Sequence, residues 1–387
     1  MSARESLFLL TLSLSLVSPV FAADDEESAS ATEQESQEEE ESEEKPDTGG
    51  KFLPVPFFIT EPAIGEGLGA ALVYFHADDA EAPRLASATT LNRADRAQTP
   101  PPTATGVFAA YTNNDTHAYG AGHARTFMDD TYRLTALAAK ANVNATYYVA
   151  DFPFDFSLDG TVIFARLKRR FGDSNMFIGA ATSYLDGEVD FPISPGPEDM
   201  SVPGIPEVPF RDIGISASFI YDSRDDTMMP TTGQLAELSV WKHDEALGGD
   251  YDYTSATLKV NSFHALGKKW VLGLRLETSA ADGDVPFYAA PYVKLRGIPA
   301  LRYQGKVAGA VEVELRYKIA KRWAVLGFFG EGFTDERGIA DETDDEIKAY
   351  GVGFRWLALQ SKNVWVGIDA ARGPEQDAFY IQLVHPW

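Results

Sequence analysis

The chain of 387 residues contains no cysteine. That excludes disulfides, thiolate metal sites and a cysteine nucleophile. It does not exclude an oxidising compartment, because a closed sheet is held by backbone hydrogen bonds instead. Bases are scarce: 33 Lys and Arg face 58 Asp and Glu, for a formal net charge of −25. Such a field repels phosphate backbones and excludes nucleic acid as a partner. Histidine is limited to His76, His117, His123, His243, His264 and His385. None of them stands in a Gly-x-Ser-x-Gly or His-Glu-x-x-His setting. His117 and His123 share a strand face by parity, but a ligand pair needs a third partner that the sequence does not supply. No catalytic residue, metal or cofactor is therefore expected. Beyond the N-terminal stretch there is no uncharged apolar run long enough for a membrane-spanning helix, and helical periodicity is scarce.

What is present begins with an export signature. Arg4 opens residues 1–22, Leu7 to Val17 form an apolar run, and Val20-Phe21-Ala22 offers a cleavage site. That run is too short for a permanent spanning anchor. Residues 23–50 hold 13 carboxylates against a single base, Lys45, which is roughly half the net charge. Lacking aromatic and branched aliphatic residues, this stretch cannot bury enough surface to offset its ordering entropy. It reads as a disordered acidic leader, either a solvated tail or a binder of a basic partner.

From Lys51 onward the period becomes two. Val307, Gly309, Val311, Val313, Leu315, Tyr317 and Ile319 fall on one face, while Glu312, Glu314, Arg316 and Lys318 fall on the other. Trp270, Leu272, Leu274 and Leu276 oppose Lys269, Arg275 and Glu277 in the same way. A strand with lipid outside and polar groups inside needs this division. The spacing predicts strands over 53–60, 66–77, 103–113, 116–127, 131–149, 156–171, 175–191 and 212–222. Eight more follow over 232–244, 252–266, 268–281, 307–320, 322–334, 348–360, 364–372 and 378–387. The fold class is thus all-β: a transmembrane antiparallel β-barrel of about 16 strands over 51–387. An even count puts both ends on the periplasmic side with the turns Met128-Asp129-Asp130 and Gly172-Asp173-Ser174. Residues 192–210, 282–306 and 335–347 become extracellular loops. The long connection 78–102 falls on the periplasmic side, so either it is an insertion or the first hairpin differs.

Several local patterns stand out. Phe379, Ile381, Leu383 and the terminal Trp387 fall on one alternating face, as in a barrel recognition signal ending in an aromatic residue. Asp222, Arg224 and Asp225, followed by Pro230 and Gly233, mark a turn pinned by opposite charges. Arg296-Gly297 sits in a long connection. Glu312 and Glu314 on one strand, then Glu331 on the next, are carboxylates that need a cation if they face the barrel interior. Gly65-Glu-Gly-Leu-Gly69 is better explained by close packing or a bulge than by phosphate binding. Pro386 removes a ladder donor near the terminus, or simply ends the strand.

Asp222-Ser-Arg-Asp with Pro230 and Gly233, Leu295-Arg296-Gly297, Glu314-Leu-Arg316, Phe329-Gly-Glu331 and Asp369-Ala-Ala-Arg372 run in an order that resembles the BamA/TamA superfamily. This bacterial surface antigen family comprises outer-membrane assembly factors and two-partner secretion transporters. Pro54 to Pro62 and Gly65 to Gly69 resemble its first barrel hairpin. The resemblance implies a sixteen-stranded barrel with a long loop folded into the lumen, its Arg-Gly tip held by acidic residues. Arg296 would then pair with Glu314 and Glu331. Glu331 stands where the family usually has Asp, and Ile298 where an aromatic is common. It also implies a seam between first and last strands that can part toward lipid. Expected partners are outer-membrane lipids and the barrel assembly machinery, with protein clients or a second copy of the chain beyond them. Relatives that insert or export proteins carry periplasmic POTRA domains; residues 23–50 are too few for one. A passive solute pore and a structural, lipid-contacting oligomer remain as alternatives.

Overall fold

The computed structural model describes residues 50–61, 63–76, 101–149, 152–190, 208–335, 347–359, 363–383 and 385–387. The signal and leader, and most of 78–102, 192–210 and 335–347, lie outside the described residues.

Sixteen strands follow one another around a single sheet, each antiparallel to the next. They are β1 (Lys51–Glu61), β2 (Gly65–Phe75), β3 (Ala104–Thr112), β4 (His117–Phe127), β5 (Tyr132–Val149) and β6 (Phe152–Arg170). Then come β7 (Met176–Asp190), β8 (Val208–Asp222), β9 (Gly233–His243), β10 (Tyr253–Leu266) and β11 (Trp270–Gly283). The last five are β12 (Val307–Ala320), β13 (Trp323–Thr334), β14 (Lys348–Leu359), β15 (Val364–Arg372) and β16 (Asp377–Leu383). β1 and β16 lie side by side and nearly close the ring, but no ladder joins them among the described residues. β2 pairs directly with β3 from Phe75↔Ala104 onward, so the expected first hairpin stands and the long connection joins β2 to β3.

The period-two pattern explains the wall. On β12, Val311, Val313 and Leu315 are exposed on the outside while Glu312, Glu314 and Arg316 are buried inside. Leu68, Leu72, Ile163, Ile215, Phe219 and Leu274 are likewise large apolar side chains with no protein cover. In water this surface would be an aggregation liability; against hydrocarbon it is the favoured state. β5 and β6, with 18 and 19 residues, exceed the ~9–11 needed to cross and extend the wall beyond the bilayer.

The interior is divided. Val55, Phe57, Val73, Phe75, Phe156, Leu158 and Phe210 from β1, β2, β6 and β8 form an apolar half. β10 to β15 supply a charged half, in which Lys259, Glu277, Arg275, Glu312, Glu314, Arg355 and Asp369 approach one another. The β11–β12 connection lies between the halves. Its Tyr288, Tyr292 and Leu301 join the apolar cluster, while Lys294 and Arg296 face the charged one. Tyr292 also bridges Gln304, so the connection doubles back on itself.

One expectation fails at the C-terminus. The last strand was expected over 378–387, with Trp387 on the same outer face as Phe379. Phe379 is exposed to the outside, but β16 ends at Leu383. His385 and Trp387 turn into the barrel, where the Trp387 indole stacks on Phe263 with ring centroids 5.6 Å apart. Strand parity holds only while the backbone stays in the wall, and here the chain leaves it.

A carboxylate box that holds the loop tip

The site is built by parity. Glu312 and Glu314 are two apart on β12 and so share the inner face; Asp369 takes the inner face of β15. Into the space between them comes Arg296. Its Nη1 donates to Asp369 Oδ2 at 2.7 Å, and its Nη2 donates to Glu314 Oε2 at 3.1 Å and also to Glu312 Oε1. The guanidinium lies over the Phe328 ring, 3.5 Å from its centroid. Asp369 is shared with Arg355, which donates to both its oxygens, one at 2.9 Å. Arg275 reaches Glu312 at 3.9 Å. Three carboxylates thus meet three guanidiniums, and each charge is offset in a region that excludes water. Burial works against the Arg296 charge, yet Glu312, Glu314 and Asp369 outweigh it and raise its pKa above the ordinary arginine value.

Gly297 completes the tip. Its N–H donates to the Tyr380 hydroxyl of β16 at 2.8 Å. Its φ of 94° belongs to the left-handed region, and a Cβ there would lie 3.1 Å from the backbone of Arg372 and Gly373. A side chain would be both strained and crowded. Nearby, Lys294 pairs with Glu277 at 3.2 Å; burial lowers its pKa, with Glu277 opposing.

Glu331, expected to hold the tip, does not take part. It stands on the outer face of β13 with Phe329 and Phe333, exposed, while Phe328 and Gly330 face inward. Glu312 and Asp369 take the place expected of it. The signal for both was in the strand alternation: Glu312 shares parity with Glu314, and Asp369 opposes Val364, Val366 and Ile368. Motif likeness selected Glu331 against its parity.

The C-terminal tail enters the same box. His385 Nε2 lies 2.9 Å from Glu314 Oε1, and the Trp387 indole N–H donates to Glu312 Oε1 at 2.6 Å. As a neutral imidazole His385 can donate to the carboxylate. Burial lowers its pKa, with Glu314 pulling the other way. Its backbone N–H donates to the Met228 carbonyl at 2.8 Å, which ties the tail to the 222–233 turn.

That turn is folded by its own carboxylates. Asp222 accepts from Arg224 Nε at 2.9 Å and from Arg133 at 3.3 Å. Asp225 accepts from the backbone N–H groups of Thr231 and Thr232 at 2.8 and 3.1 Å. Met229 is buried against Ala324, Leu357 and Trp365, and the Pro230 carbonyl accepts from Arg316. Gly233, at φ 95°, returns the chain to β9.

A second anchor was not legible in advance. Asp212 of β8 lies 2.5 Å from His243 Nδ1 and accepts from Tyr253 and, at 3.3 Å, from Tyr288 of the loop. These four side chains come from three strands and a loop, with no shared sequence spacing to betray them.

Residues 205–293 match the Omp85 superfamily domain, a stretch that takes in β8 to β11, the 222–233 turn and the start of the β11–β12 connection. This segment is similar to an Omp85 domain. Across the whole chain the fold is similar to BamA from Haemophilus ducreyi lacking POTRA domains 1–3, at 12% identity and a TM-score of 0.54. That likeness covers 87% of this chain and 70% of the other. CdiB from Acinetobacter baumannii gives 10% identity, a TM-score of 0.54, and 87% and 60% coverage. CdiB from Escherichia coli gives 10%, 0.55, and 88% and 63%. This chain therefore spans less than two thirds of either CdiB chain. No curated protein matches by sequence. The match to the Omp85 domain stops at Val293, three residues before Arg296.

Proposed function

We propose that the chain is a non-enzymatic outer-membrane barrel of the Omp85 type that works as a plugged conduit, kin to factors of outer-membrane protein assembly and translocation. Residues 1–22 serve as the export signal and 23–50 as the acidic leader in this reading. The supporting observation is the Arg296 box. A loop tip anchored by a buried, charge-balanced cluster can be held shut or released as a unit, which an open solute pore does not need. Apolar packing of Tyr288, Tyr292 and Leu301 against the far wall closes the other half.

The β1 edge favours the lumen over the seam as the working route. Pro54 and Pro56 share one parity, and the β1–β2 ladder runs through both without a shift. A proline fits there only with its nitrogen aimed away from β2, toward the seam. Two donors that an incoming strand would need are missing from that edge. Conduction through the lumen after plug release fits the chain better than strand-by-strand templating on β1.

The test is single-channel recording in planar bilayers. The wild-type barrel should show small, flickering openings, and Arg296→Ala large and stable ones. Large ohmic openings in both would favour the passive pore and end the plugged reading.

A further inference from the structure

Outside the lumen, β2 to β4 present an apolar belt in which Leu68, Leu72, Val107, Tyr111 and Tyr119 are exposed. Toward the periplasmic rim the same face turns polar. Tyr74 pairs with Thr105, Thr105 pairs with His123, and His76 follows β2 on the parity of Leu72 and Tyr74. His76 Nε2 lies 2.8 Å from Thr105 Oγ1, which lies 2.8 Å from His123 Nδ1. The two rings sit edge to face at 5.8 Å. Arg125, two residues beyond His123 on the same face, is exposed.

This chain of contacts has a chemical consequence. One hydroxyl proton serves two imidazoles, so one ring donates to Oγ1 while the other accepts from it. The accepting ring then carries its proton on the opposite nitrogen, directed away from the hydroxyl. Either tautomer leaves an imidazole N–H directed away from the hydroxyl. Aromatic rings bracket the group: Phe52 against Tyr74 at 4.6 Å on one side, Phe127 against Tyr132 at 5.4 Å on the other. Such girdles mark the level of lipid headgroups. Polar groups on a lipid-facing wall are costly unless a headgroup meets them.

We propose that His76, Thr105, His123 and Arg125 form a binding site for the phosphate of an anionic phospholipid headgroup in the periplasmic leaflet. Arg125 and an imidazole N–H contact the phosphate oxygens, and Thr105 holds the two rings in place. The acyl chains lie along the Leu72 and Val107 belt. This site sits on the outer wall and does not depend on the plug.

Native mass spectrometry of the purified full chain tests it, with phosphatidylglycerol and phosphatidylcholine of matched acyl chains as probes. The wild type should retain one phosphatidylglycerol, preferred about tenfold over phosphatidylcholine, an energy expected of a single charge-assisted contact. Arg125→Ala should lose that preference. The double variant His76→Gln/His123→Gln should weaken it too, and serves if Arg125→Ala fails to show heat-modifiable gel mobility. Equal retention of both lipids by the wild type, or unchanged retention by the folded variants, overturns the proposal. Displacement by inorganic phosphate alone, regardless of acyl chain, would assign the site to soluble phosphate and overturn the lipid assignment.

Discussion

At the scale of single residues, the charge balance of the box decides what Arg296 is worth. Its removal leaves Glu312, Glu314 and Asp369 with two guanidiniums, Arg275 and Arg355, so three carboxylates share two permanent positive charges in a buried site. Breaking a buried pair in this way costs about 3–5 kcal/mol. Arg296→Ala should therefore lower the temperature at which the barrel loses its heat-resistant gel mobility; an unchanged midpoint would show that the box carries no stability. Arg296→Lys should fall between, because one ammonium cannot span three carboxylates. His385 gives a pH effect of defined sign. Burial sets its folded pKa below the ordinary 6.5, so below that value the unfolded chain binds more protons than the folded one. Its contribution is intact above pH 6.5 and declines as pH falls toward the folded value. Comparing gel midpoints at neutral and mildly acidic pH, wild type should lose more than His385→Gln; equal losses would remove the effect. The sequence made Arg296 and Glu314 legible through motif order. It also held the parity that places Glu331 outside and Glu312 inside, a physical signal stronger than the motif. Asp212, His243 and Tyr288 were hidden because their meeting depends on how a loop crosses the lumen.

At the scale of elements, fifteen neighbouring strand pairs form ladders among the described residues, and β1 with β16 does not. β16 has seven residues against eleven in β1, and the tail beyond it is committed to Glu312 and Glu314 instead of the wall. Strand existence was legible because lipid outside and charge inside impose strict alternation over long stretches. Strand ends were less so: β8 begins at Val208 and not 212, and β16 stops at Leu383. Alternation says which way a side chain points but not where the backbone quits the sheet. The prolines of β1 give a prediction at this scale. Replacing Pro54 and Pro56 by Val returns two donors to the seam, each hydrogen bond worth roughly 0.5–1.5 kcal/mol. The double variant should resist unfolding better and show slower amide exchange along β1. If neither changes, the prolines do not limit closure.

At the scale of the whole molecule, one loop joins the two unlike halves of the lumen. Its aromatic side chains pack on β1, β2, β6 and β8, and its charged side chains on β11, β12 and β15. The same carboxylates hold the C-terminal tail, so loop tip and tail share partners: freeing either one removes contacts from Glu312 and Glu314. A Cys-free chain allows the position of the tip to be read directly. Ile298, beside the tip, is buried in the lumen. A single Ile298→Cys in intact outer membranes should stay protected from a bulky thiol reagent supplied from outside the cell and react only after the barrel is unfolded. A folded barrel whose cysteine at 298 reacts freely with that reagent would contradict a loop tip held in the lumen.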